Sequence, residues 1–81
     1  MMTKEDLKVL IETACELVFT YPDWTSEHVD EYMNCFDGPV PYDGDMLYTA
    51  CQYIDQDKKQ SYHDTVTHFV ESGTLEFLRT Y

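Results

Sequence analysis

Residues 3–20 read TKEDLKVLIETACELVFT, and this stretch decides the fold class. Thr3 is an N-cap residue, and Asp6 three positions later makes a capping-box variant that satisfies the first unpaired amides of a helix. Leu7, Leu10, Ile11, Ala14, Cys15, Leu17 and Val18 then recur at helical spacing and define one apolar face. The pattern predicts a helix running to Phe19 or Thr20, because Pro22 disfavours helical backbone at Tyr21.

The same grammar repeats downstream. Ser26 or Thr25 caps a second helix, with Glu27 and Asp30 in the first turn, where negative charge favours a helix N-terminus. Val29, Tyr32, Met33 and Phe36 form its apolar face. The segment from Asp37 to Gly44 is dense in Gly, Pro and Asp and reads as a loop. Asp45 is the expected cap of a third helix, whose stripe is Met46, Leu47, Ala50, Cys51, Tyr53 and Ile54. Residues 55–60 are polar and fit either a loop or a solvated extension of that helix. Ser61 with Asp64 opens a fourth helix with Tyr62, Val66, Phe69 and Val70 on its face. Gly73 is its expected stop. Leu75, Phe77 and Leu78 leave the last residues open between a helical turn and a short strand. No tight β-hairpin signal and no internal repeat appear. The expected fold is therefore an all-α bundle of four to five short helices in a single domain covering residues 1–81.

A chain of 81 residues has room for one small core and no large internal active site. Acidic disordered tails are poor in aromatics, whereas this chain has seven Tyr, four Phe and one Trp. Cys15, Cys35 and Cys51 are odd in number, form no CxxC pair and lie beside apolar residues. They read as reduced, buried thiols of a cytoplasmic protein. The start, Met-Met-Thr-Lys-Glu-Asp, predicts no signal peptide, and no apolar run reaches the roughly 20 residues needed to span a bilayer.

Recognised chemistry is absent from the motifs. His63 and His68 are five apart and do not share a helix face, so they are not an HExxH pair. The loop acids Asp37, Asp43 and Asp45 lack the alternating spacing of a calcium loop. No cysteine lies in a nucleophile elbow, and no phosphate-binding glycine loop occurs. Thr25-Ser26-Glu27 lacks the Asp-Ser-Leu pattern that carries the cofactor of acyl carrier proteins. No cofactor, no metal and no enzymatic activity are expected.

Charge is the informative property. From Val9 to Asp57 there is no Lys or Arg, but there are eleven carboxylates, matching the formal net charge of -11. They are Glu12, Glu16, Asp23, Glu27, Asp30, Glu31, Asp37, Asp43, Asp45, Asp55 and Asp57. The flanks balance, with Glu5, Asp6, Asp64, Glu71 and Glu76 against Lys4, Lys8, Lys58, Lys59 and Arg79. Such a field disfavours direct binding of nucleic acid or an anionic membrane and points to a basic protein partner. Helical i, i+4 carboxylates lie about 6 Å apart along the axis, close to the roughly 6–7 Å between phosphates on one DNA strand. Glu12 with Glu16, and Glu27 with Glu31 beside Asp30, have this spacing and could form two rows. Any one pair is also what an ordinary solvated helix shows, and Lys8 is placed to pair with Glu12.

The expected interface is Glu12, Glu16, Asp23, Glu27, Asp30 and Glu31, with Asp37, Tyr42, Asp43 and Asp45 from the loop. Tyr42 stands out as a contact residue because Pro41 and Asp43 flank it, while Tyr21 and Trp24 read as covers for the core. In size and charge the chain resembles phage or mobile-element counter-defence proteins, such as anti-CRISPR proteins, restriction inhibitors and glycosylase inhibitors. That resemblance implies a DNA-mimicking inhibitor in the host cytoplasm. Its partner would be a basic nucleic-acid-binding protein, such as a CRISPR effector or another nuclease. Alternatives are an acidic helical adaptor that binds through an apolar groove, and an antitoxin-like neutraliser of a basic toxin.

Overall fold

The structure is a computed structural model that describes residues 2–35 and 40–80. It is all-α, with helices α1 (Lys4–Thr20), α2 (Ser26–Asn34), α3 (Gly44–Gln56) and α4 (Tyr62–Ser72), closed by a 3-10 turn, Glu76–Thr80. No strand occurs among the described residues.

Side-chain caps set the helix starts. The Thr3 amide donates to the Asp6 carboxylate and the Asp6 amide donates to Thr3 Oγ1, both at 3.1 Å. Thr25 rather than Ser26 caps α2, and His28 supplies the return bond, its Nδ1 accepting from the Thr25 amide at 3.0 Å. Asp43 rather than Asp45 caps α3, accepting from the Met46 amide at 2.9 Å. Asp45 falls one step inside, in the first turn, where its charge still complements the helix dipole. Ser61 caps α4, with the Asp64 amide donating to its hydroxyl at 3.1 Å. Gly73 ends α4 with φ 70, a backbone conformation open to glycine and strained for other residues.

α1 is the hub, packing mainly against α3 and α4, while α2 rests more on α3 than on α1. Leu10, Ile11, Leu17 and Val18 of α1 meet Leu47, Cys51 and Ile54 of α3 and Phe69 of α4 in one cluster. The C-terminal segment is a helical turn, not a strand. It buries Leu75 and Leu78 in the same cluster. Arg79 fastens it to the N-terminus, donating from Nε to the Met2 carbonyl at 3.2 Å.

The apolar stripes are narrower than the spacing predicts. Tyr53, Tyr62 and Val70 are each 42% exposed. Thr65 occupies the buried position at the start of α4 instead. It can do so because its hydroxyl donates to the Ser61 carbonyl at 2.8 Å and accepts from the Lys59 amide at 3.0 Å. Cys15 and Cys51 are buried as expected, but Cys35 is exposed. Cys35 is the residue that closes α2, beyond the turn that faces the core. Burial pushes the thiols of Cys15 and Cys51 up to about 12, with the nearby charge of Glu12 adding to the effect on Cys15.

α2 is the least anchored helix. Val29 is its one buried residue, 2% exposed, with Tyr32 and Met33 half-buried beside it. Phe36, expected on the same stripe, lies outside the described residues.

Candidate acidic interface

The weak anchoring of α2 decides where its charges go. With Val29 against the core, Glu27 and Glu31, two residues to either side, fall about 200° around the helix, at 3.6 residues per turn. Both are exposed, as are Asp30 on the flank of α2 and Asp23 in the preceding turn. Asp43 and Asp45 are exposed at the start of α3, one of them engaged as the cap. Asp37 lies outside the described residues.

The two glutamates of α1 diverge. Glu12 is half-buried and lines a groove against α4 with Lys8, His63, Val66, Thr67, Val70 and Glu71. Glu16 is exposed and stands between α4 and α2. After the larger effect of burial, the charge of Glu12 and, less, that of Glu16 help raise the phenol of Tyr62 in α4, while Glu16 also helps raise that of Tyr32 in α2. Glu16 thus borders α2 as well as α4, whereas Glu12 lines the groove against α4.

Tyr42, expected as a contact residue, is buried instead. It is 4% exposed, and its hydroxyl donates to Thr13 Oγ1 at 3.2 Å. A tyrosine beside an incomplete core gains from burying its ring when the hydroxyl still finds a partner, and Thr13 supplies one. Tyr21 and Trp24 are both half-buried, and Trp24 packs against the core cluster as expected. Trp24 packs edge-on to Tyr48, with centroids 5.5 Å apart, and Tyr21 lies 4.4 Å from the His28 ring.

Among the described residues, no ion pair involves Glu12, Glu16, Asp23, Glu27, Asp30, Glu31, Asp43 or Asp45. The Lys8–Glu12 pair that the sequence allows does not form. The cations that do pair sit elsewhere. Lys58 lies 3.6 Å from Asp55 and above the Phe19 ring, 5.5 Å from its centre. Lys59 lies 2.9 Å from one oxygen of Asp57, and His68 Nε2 lies 2.8 Å from the other. These bonds hold the Asp57 carboxyl below its usual value, the one from Lys59 contributing most. Asp55 and Asp57 therefore belong to a charge-paired corner between α3 and α4 and drop out of the acidic field.

Sequence reasoning missed this corner, although Lys58-Lys59 directly after Asp55 and Asp57 was its signal. It also missed the groove, about 350 Å³, lined by Thr13, Glu16, Tyr32 and Cys35. Its lining residues come from two helices and share no sequence pattern.

Among the described residues, no group of three or more His, Cys, Asp or Glu side chains could hold a metal ion. No described helix is long and apolar enough to cross a membrane. Comparison with protein-family models, curated proteins and solved structures gives no match.

Proposed function

We propose that this protein is a non-enzymatic inhibitor that presents a nucleic-acid-like acidic surface to the basic binding site of a larger protein. One observation carries the reading. Among the described residues, Glu16, Asp23, Glu27, Asp30 and Glu31 have no cation within ion-pair reach, and the sequence supplies no Lys or Arg between Val9 and Asp57. Unpaired like charges on so small a domain oppose folding. Their concentration on the least anchored helix is more economical as a binding surface than as a stabilising device. A groove built to neutralise phosphates would release its counterions to these carboxylates much as it does to DNA. RNA-guided nucleases, whose heteroduplex lies in a positively charged channel, are the first targets to test. In that setting the protein would act as a counter-defence factor in the host cytoplasm.

A second reading has its own observation. Tyr53 and Phe77 are 42% and 43% exposed, and their rings lie 5.4 Å apart. An adaptor that recognises its partner through apolar contacts would use that pair, leaving the charge to solubility.

Pull-down from lysate at moderate salt, followed by affinity measurement on the recovered target, separates the two. Under the inhibitor reading, Glu27→Lys with Glu31→Lys abolishes recovery and Tyr53→Ser with Phe77→Ser leaves it unchanged. The opposite pattern would establish the adaptor and dismiss nucleic-acid mimicry.

A further inference from the structure

The groove between α1 and the end of α2 has a composition that selects among cations. Among the described residues, its walls are mostly carbon, from Thr13, Tyr32 and Cys35, and the charged lining residue is Glu16. The Thr13 hydroxyl is already engaged, donating to the Val9 carbonyl at 2.9 Å and accepting from Tyr42. The Tyr32 ring is held edge-to-face by Tyr21, with centroids 6.5 Å apart and planes at 85°. Burial raises the Tyr32 phenol above its usual value, a hydrogen bond with Thr20 opposes this, and the Glu16 charge adds to the rise. Among the described residues, the groove therefore offers the Glu16 carboxylate, the Tyr32 ring and an apolar wall.

An apolar side chain placed here would strip water from Glu16 and return no partner, which is unfavourable. A lysine ammonium would gain the charge attraction but is compact and strongly hydrated, so it has little use for the ring and the wall. A guanidinium uses all three. It is planar, weakly hydrated, pairs with carboxylates and stacks on aromatic faces, while its three-carbon stem covers apolar surface.

We propose that this groove is the seat of an arginine side chain from the basic partner, with the guanidinium paired to Glu16 and stacked on Tyr32 and the stem lying over Thr13 and Cys35. The inference rests on the reading of the acidic face as a docking surface for a basic protein. It adds that the target is anchored by arginine in preference to lysine at this position.

The probes are two capped peptides of equal length and charge, one alternating Arg with Gly and the other Lys with Gly. They are titrated into the full chain at low ionic strength and followed by amide NMR shifts. The reaction rate of the exposed Cys35 thiol is a second readout at the groove. The expected result is roughly tenfold tighter binding of the arginine peptide, about 1.4 kcal/mol. Shifts should centre on residues 13, 16, 32 and 35, and Cys35 should be slowed by the arginine peptide alone. Glu16→Gln and Tyr32→Leu should each erase the preference for arginine, and Tyr32→Phe should restore it. Circular dichroism identifies a Tyr32→Leu variant that has lost α2, in which case Glu16→Gln decides. Equal binding of both peptides, or a preference that survives Glu16→Gln, overturns the arginine seat and leaves the acidic-surface reading standing. If neither peptide binds, the acidic-surface reading fails and the seat fails with it.

Discussion

Around α2, Asp23, Glu27, Asp30 and Glu31 stand exposed with no cation in ion-pair reach among the described residues, whereas at the α3–α4 corner Asp55 and Asp57 meet Lys58, Lys59 and His68 at 2.8–3.6 Å. The residue types are the same, and both regions fall within the cation-free count that runs from Val9 to Asp57. Their neighbours differ. The corner folds the residues after α3 back onto α4, with the Lys59 amide bonded to Thr65 and Asp57 bridging Lys59 and His68. Its carboxylates hold a loop in place. Among the described residues, the carboxylates of α2 enter no ion pair, and the helix that carries them buries one residue fully. Net charge alone cannot make this distinction, since it counts Asp57 and Glu31 alike.

The comparison breaks most visibly in binding. Glu27→Lys with Glu31→Lys should weaken affinity for the target at least about 30-fold, from the roughly 2 kcal/mol lower bound for losing one partner of an interfacial charge pair. Asp55→Lys with Asp57→Lys changes net charge by the same amount and should leave affinity within a few-fold while lowering the melting temperature. Titration calorimetry on both double variants checks this. Equal losses would mean that total charge, not its placement, is what the partner senses.

Folding gives the next contrast. Val29→Ala should cost about 1–3 kcal/mol, and the loss should concentrate in α2. Amide exchange in residues 26–34 should accelerate well before exchange in residues 7–18. Uniform acceleration through α1 and α3 would mean that α2 is as firmly built in as the rest.

The smallest effect sharpens the other side. The Asp57 carboxyl is held below its usual 3.8 by Lys59 first and then by His68. A depressed folded value contributes stability above pH 3.8, and this is lost as pH falls through the folded value. Wild type should therefore exceed Asp57→Asn slightly in urea midpoint at neutral pH, and the two should converge in acid, once pH has fallen below the folded value. A difference that persists there would assign the effect to something other than the ionised carboxylate.

Most of the fold was legible because local chemistry agreed with it. Thr3, Ser61 and Gly73 mark their helix ends by side-chain and backbone rules that act within four residues, and the α1 stripe is buried throughout. The misreadings fall where distance in sequence mattered. Tyr42 looked exposed because Pro41 and Asp43 flank it, but its hydroxyl partner, Thr13, lies 29 residues away. Asp57 looked like one more surface acid because His68, 11 residues on, belongs to another helix. Glu12 and Glu16 looked like one row because a helix places them so, but packing half-buries Glu12 against α4 and leaves Glu16 exposed between α4 and α2. Periodicity locates a face on its own helix and is silent about what that face meets.

The most direct test of the acidic surface is competition with DNA for the target recovered from lysate, at low and at raised ionic strength. DNA should displace this protein, and binding of both ligands should weaken together as salt rises. Formation of a ternary complex of target, DNA and this protein would contradict the claim that the carboxylates of α2 and Glu16 occupy the nucleic-acid site.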